Sequence, residues 1–339
     1  MGKTASLASL GSIADTSLGF RNRIINGDMR IDQRNAGASV TPADSAYTLD
    51  RYQVRLTQSS KYSVTKSSVA PAGFINSLLV TSLSAFSVGS TDFFQVRQLI
   101  EGYNVSDLGW GTSSAQPVTI SFWARSSLTG TFGGVLSNAN GDRSYQFSYS
   151  IAAANTWEQK TVTIAGDTTG TWPTGNVASF VLAFALGAGS SVSGSTGSWG
   201  STLYRSVTGA VSVVGTSGAT FYITGVQLEA GSVASPFERR DYGRELIMCS
   251  RYFQAFIASG SINYWGGTGR LRFQLPVQMR AAPTFALTGT GDASGLTTLS
   301  GGSFTESFTT AGRYDNTTSA LANWQSASAY IPVSAAAEL

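Results

Sequence analysis

Two hydrophobic periods meet at a sharp boundary in residues 221–253, FYITGVQLEAGSVASPFERRDYGRELIMCSRYF. Aromatic and β-branched residues (Phe221, Tyr222, Ile223, Thr224, Val226) read as a strand closed by Gly231, with Gly225 marking a bulge inside it. Pro236 forbids the strand from continuing. From Tyr242 the apolar spacing lengthens to Tyr242, Leu246, Cys249 and Phe253, one face of a helix predicted over 242–254. Asp241 stands at its start, where a carboxylate satisfies free backbone N–H groups. A chain with this segment must hand a sheet over to a helix.

Upstream, residues 21–237 show strands and turn signals with no long helical period, the grammar of an all-β sandwich. Tyr145, Phe147, Tyr149 and Ile151 alternate with Ser144, Gln146, Ser148 and Ser150, so that strand has one core face. Phe180, Leu182, Phe184 and Leu186 alternate with Val181, Ala183 and Ala185, which predicts burial on both faces. Residues 187–200, GAGSSVSGSTGSWG, read as a flexible excursion that presents Trp199 at its end. Past the helix, short β-like runs resume at 271–277, 284–287, 303–308 and 330–333, a thin core for so many residues.

Composition limits the chemistry. The 339 residues include no histidine and one cysteine, which removes Ser-His-Asp hydrolysis, histidine-ligated metals and cysteine metal sites. Glycoside hydrolysis by two carboxylates survives. A net charge of +3 with only 12% charged residues gives no basic face for nucleic acid. No apolar run approaches the roughly 20 residues needed to cross a bilayer as a helix. Arg21, Arg23, Arg30 and Arg34 are interleaved with Asp28 and Asp32, as Arg239, Arg240, Arg244 and Arg251 are with Glu238, Asp241 and Glu245, a mixture expected of structural ion pairs or subunit contacts.

The strand–helix junction resembles the signature TGVQLE-x-G-x-x-x-x-PFE-R-x-x-x-x-x-EL-x-x-C-x-RY of a phage tail-fibre-like family, here Thr224–Glu229, Gly231, Pro236–Glu238, Arg239, Glu245, Leu246, Cys249, Arg251 and Tyr252. Further pieces match in order: RIINGDMRIDQRN from Arg23, the Asp50-Arg51-Tyr52 triplet, TISFWARSS from Thr119, the Trp172 and Trp199 loops, LPVQMRAAPTF from Leu275 and the terminal Ala337-Glu338-Leu339. The resemblance implies a virion component with a carbohydrate-binding-module-like β-sandwich and no catalytic motif.

Candidate site residues follow from side-chain alternation. In TISFWARSS, Ile120, Phe122 and Ala124 face one way and Ser121, Trp123 and Arg125 the other. An indole stacks on the C–H face of a pyranose while a guanidinium and a hydroxyl satisfy sugar hydroxyls. Trp172 and Trp199 are either loop-tip platforms or plugs that close the sandwich. No cofactor is required, although Asp28, Asp32, Asp50, Glu101 and Glu229 are candidate oxygen ligands for a structural calcium.

The combined reading is an N-terminal docking arm (1–20), a jelly-roll sandwich (21–237), a linker helix (238–254) and a small C-terminal β-domain (255–339). Leu7, Leu10 and Leu18 of the arm, with Arg21 and Arg23, are expected to dock onto other virion proteins. The expected function is that of a trimeric, non-enzymatic phage fibre or receptor-binding protein in the virion, attaching to host cell-surface carbohydrate. The alternatives are a purely structural head fibre, capsid decoration or tail accessory protein, and an exopolysaccharide depolymerase.

Overall fold

The computed structural model describes residues 20–265, 268–288, 291–293, 296–299, 303–307, 311–317 and 326–339. Leu7, Leu10 and Leu18 lie outside the described residues. The chain divides into two compact units, one of residues up to 30 plus 37–239, the other of 31–36 plus 240–339.

In the first unit the strands are β1 (Gln53–Leu56), β2 (Tyr62–Ser67), β3 (Ser77–Ser82), β4 (Phe93–Glu101), β5 (Val118–Ser126), β6 (Gly130–Asn138) and β7 (Ser144–Ile151). They continue as β8 (Glu158–Ile164), β9 (Ala178–Ala188), the short β10 (Ser193–Gly194), β11 (Trp199–Gly200) and β12 (Ser206–Val207), and β13 (Thr220–Ala230). One sheet runs β1-β4-β9-β6-β7-β11 and a second runs β2-β3-β13-β5-β8. The inner orders β4-β9-β6-β7 and β3-β13-β5-β8, with antiparallel pairing throughout, are the two interlocked Greek keys of a jelly roll.

The core between the sheets comes from the alternating residues: Ile120, Phe122 and Ala124 of β5, Phe221 and Ile223 of β13, Phe147 of β7, and Phe180, Leu182 and Phe184 of β9 are all buried. Strand β9 is buried on both faces because the 189–214 segment lies over the outer one. There Gly133 has no room for a side chain: a Cβ would stand 2.3 Å from Ser206 Oγ. The 187–200 excursion is thus less free than its glycine and serine content predicts. Gly189 N donates to Asp92 O (2.9 Å), Ser191 N donates to Ser90 O (2.9 Å), and β10 pairs with β12. Small residues allow the backbone to lie against a neighbour here.

The second unit holds helix α1 (Tyr242–Ser250) and the strands β14 (Phe253–Trp265), β15 (Thr268–Gln274), β16 (Thr284–Leu287), β17 (Gly291–Ala293), β18 (Leu296–Leu299), β19 (Ser303–Ser307), β20 (Ala311–Thr317) and β21 (Ser326–Ala336). They form one antiparallel sheet, β18-β17-β21-β14-β15-β20-β19, with β16 also on β21. Strands of 13 and 11 residues replace the short runs expected at its centre, because serine, alanine and glycine within β14 and β21 dilute the hydrophobic signal without preventing pairing. Residues 31–36 join this unit through Gln33, whose Nε2 donates to Phe253 O (2.9 Å). Arg34 stacks 3.7 Å over the Phe253 ring and pairs with Glu338 (2.6 Å).

Helix α1 is capped as expected, with Asp241 Oδ1 accepting from Arg244 N at 2.9 Å. Its buried face differs from the expected stripe. Glu245, Cys249 and Ser250 are buried, Leu246 is half-buried and Tyr242 is 54% exposed. The buried Arg240–Glu245 ion pair at 3.4 Å replaces an apolar contact, and Phe253 opens β14 instead of ending the helix.

Candidate functional site

Three parts of the sandwich build a cleft on the outer face of the five-stranded sheet. The first is β5, where the 0% exposure of Phe122 and Ala124 sends Trp123 outward between Thr224 of β13 and Gln159 of β8. The second is the turn after Pro71, which brings Phe74 over β13. At Gly225 the pairing shifts register and φ is +61°, and a Cβ there would meet Phe74 Cζ at 2.7 Å and Trp123 Cδ1 at 3.2 Å. Only glycine lets both rings settle over the bulge.

The third part is the segment 234–239, tied down by two buried side chains of β13. Gln227 Oε1 accepts from Glu238 N (2.8 Å), and Glu229 Oε1 accepts from Ser235 N (2.8 Å) and from Gln227 Nε2 (2.9 Å). Glu229 also takes the Ser235 hydroxyl and faces Arg21 Nε at 3.6 Å. The Gln-x-Glu of the sequence signature is therefore the clamp that holds its Pro-Phe-Glu-Arg. So clamped, Phe237 meets Phe74 edge-on with centroids 5.2 Å apart, and Arg239 lies 4.7 Å over Phe74. The result is an open cleft of ≈ 510 Å³ lined by Phe74, Trp123, Gln159, Pro236, Phe237 and Arg239 among others. Its chemistry is flat aromatic surface with an amide and a guanidinium beside it, suited to a ring with apolar faces and polar edges.

The expected site residues are distributed differently. Ser121 shares the outward register of Trp123 but is buried, opposite Gln227 where the 235–238 segment is tied down. Arg125 donates through Nε to Asn155 O (2.9 Å) and stacks 4.9 Å from the Tyr222 ring, which also meets Trp157. Arg239, not Arg125, supplies the guanidinium of the cleft. Trp172 is no loop-tip platform: it is 7% exposed, packed against Trp110, Phe180 and Trp199, and donates to Thr169 O (3.0 Å). Trp199 joins the same cluster and donates to Ala165 O (2.8 Å). Both close the end of the sandwich.

The proposed docking anchors are engaged within the sandwich. Arg21 donates to Pro236 O (2.6 Å), while Arg23 pairs with Asp107 (2.6 Å) and donates to Asn104 O (2.9 Å). Among the calcium candidates, Asp28 pairs with Arg30 (2.5 Å), Asp32 accepts from Asn35 N (2.9 Å) and Glu229 serves the clamp. Burial, partly offset by Arg30, raises the pKa of the Asp28 carboxyl. No three such groups converge as a metal site among the described residues. Sequence reasoning missed Phe74, Phe237 and Arg239. The last two stand inside the signature motif, but Phe74 sits in an ordinary Pro-Ala-Gly-Phe turn and carries no signal.

No family model matches the chain, and no curated protein does. Solved structures similar to it include the enzymatically active domain of tailspike protein 4 from bacteriophage CBA120, at 12% identity and TM-score 0.33 over 62% of this chain and 21% of that one. TmCBM61 in complex with β-1,4-galactotriose is similar at 10% identity and TM-score 0.33, over 62% of this chain and 99% of that one. The family 11 carbohydrate-binding module of Clostridium thermocellum, in complex with a mixed-linked tetrasaccharide, gives 12% identity and TM-score 0.31 over 58% and 98%.

Proposed function

We propose that this chain is a non-catalytic attachment protein of a phage particle, and that its sandwich stacks a sugar of the host surface in the Trp123 cleft. The observation that carries the reading is the placement of Trp123 beside Phe74, Phe237 and Arg239 over the Gly225 bulge. Large aromatic surface left open beside a guanidinium serves no packing purpose in a sandwich whose core is already filled by other rings. The likeness of the strand–helix junction to phage tail-fibre-like proteins supplies the setting, a virion. Self-association, as a trimer, is part of the proposal. Ile247 of α1 and Ile257 of β14, 57% and 67% exposed in the second unit, are the residues proposed to meet sister chains.

The test pairs binding with stability. Trp123→Ala should weaken attachment to host cells by about 1–3 kcal/mol, the range for a central aromatic anchor, with little change in Tm. Unchanged attachment would favour the structural alternative, a head fibre or capsid decoration without a glycan site. New reducing ends from host polysaccharide incubated with the protein would favour a depolymerase.

A further inference from the structure

The outer face of the other sheet carries a second feature. Arg55 of β1 stands opposite Gln95 of β4, and Arg97 of β4 stands opposite Gln53 of β1, so the two arginines are diagonal neighbours on one face. Phe93 lies on the same strand face. Arg205, from the segment covering the sheet, stacks 4.6 Å from the Phe93 centroid, and Arg55 stands 5.9 Å from it. Gln95 Nε2 fixes the Arg205 backbone by donating to its carbonyl (2.6 Å). Two guanidinium groups thus lie against one ring, and Arg97 stands beside Arg55 on the same sheet face.

Only one of the three has a carboxylate among the described residues. Asp44 takes Arg55 Nε at 2.9 Å. Arg97 donates through Nε to the neutral Gln53 Oε1 (2.7 Å), and its two Nη groups have no protein partner among the described residues. Arg205 has a ring below it and no side-chain hydrogen bond among those residues. Burial, followed by the charge of Arg55, lowers the pKa of both, that of Arg97 to about 10. Besides Asp44, Tyr47 is the other acidic group acting on Arg97. Partly desolvated like charges with free forked donors are costly to hold together, and an arriving oxyanion relieves that cost.

We propose that Arg55, Arg97 and Arg205 form an oxyanion site on the outer face of the six-stranded sheet, and that its ligand is the carboxylate of an acidic sugar. The choice of a sugar rests on the function proposed above; the oxyanion site itself does not.

Calorimetric titration of the full chain with hexagalacturonate, its carboxyl-reduced form and inorganic phosphate tests this. The acidic hexamer should bind, its affinity should fall at least 10-fold on carboxyl reduction, and it should weaken steeply with salt. Arg97→Gln and Arg205→Gln should each lose 10-fold or more. Arg205→Gln guards against misfolding, since no hydrogen bond among the described residues depends on that side chain, and Arg97→Lys should recover part of the loss. Equal binding of the acidic and reduced hexamers, or of wild-type and arginine variants, overturns the site and leaves the Trp123 reading standing. Arginine-dependent binding of phosphate alone keeps an anion site but overturns the sugar. No binding of any probe overturns the proposal whatever Trp123→Ala does to host cells.

Discussion

Gly225 and Phe74 touch where a side chain would have to be: a Cβ on Gly225 would lie 2.7 Å from Phe74 Cζ, on a backbone held at φ +61°. The first consequence is energetic. Gly225→Ala should destabilise the protein by about 1–2 kcal/mol from the left-handed backbone alone. The second consequence is geometric, since the phenyl ring is the element able to move. Phe74 should swing away from Trp123, and sugar binding should fall further than stability does. Thermal unfolding measured beside glycan titration checks this. Loss of stability with unchanged binding would show that the cleft does not depend on the bulge.

The clamp should behave as a unit. Glu229→Ala removes the acceptor for Ser235 N and one of the acceptors for the buried Gln227 Nε2, which also reaches Ser235 O and Oγ, and a buried donor left unpaired costs about 1–3 kcal/mol. Residues 235–239 carry Pro236, Phe237 and Arg239 into the cleft, so their release should abolish it. Amide hydrogen exchange should accelerate at 235–239 before any other part of the sandwich responds. Unaltered protection there would mean that the rings, not Glu229, hold the segment.

Helix α1 makes a sharper distinction than its sequence pattern did. Cys249 is fully buried and should resist maleimide in the native protein. Leu246 is only half-buried, so Leu246→Ala should cost about 1 kcal/mol instead of the roughly 2–5 of an enclosed leucine. Rapid labelling of Cys249, or a loss of several kcal/mol at Leu246, would show that the helix is rotated from its described position.

What the sequence made legible follows from how local each signal is. The alternation at 120–125 and 179–186 reports directly on the two faces of a strand, and β5 and β9 obey it. The Gly225 bulge and the Asp241 cap are likewise single-residue signals with single-residue consequences. Helix orientation is not local: the ion pair of Glu245 with Arg240 turned a charged residue inward and left Tyr242 out. Nor is a cleft. Trp123 was found because its own strand points it outward, whereas Phe74 reaches it from a turn far away in sequence, and Trp172 is buried by partners from three other segments.

The loop that places Trp172 depends on one carboxylate and should make stability respond to acid. Asp167 accepts from Arg143 Nε (2.6 Å) and Nη2 (2.8 Å), and from the Thr169 N–H (3.1 Å) and hydroxyl (3.0 Å). Burial alone would raise its pKa, but the Arg143 and Thr169 hydrogen bonds outweigh burial and hold it below the ordinary Asp value of 3.8. A folded-state pKa below the unfolded one means that the stabilisation is complete above pH ~4 and disappears as pH falls through the folded value. Asp167→Asn should therefore cost about 2 kcal/mol at pH 7, the range for hydrogen bonds to a charged group, and progressively less below pH ~4. Urea unfolding of wild type and variant at pH 7 and pH 3 measures both figures. An equal difference at the two values would mean that the charge of Asp167 contributes nothing and that its shape alone orders the loop beneath Trp172.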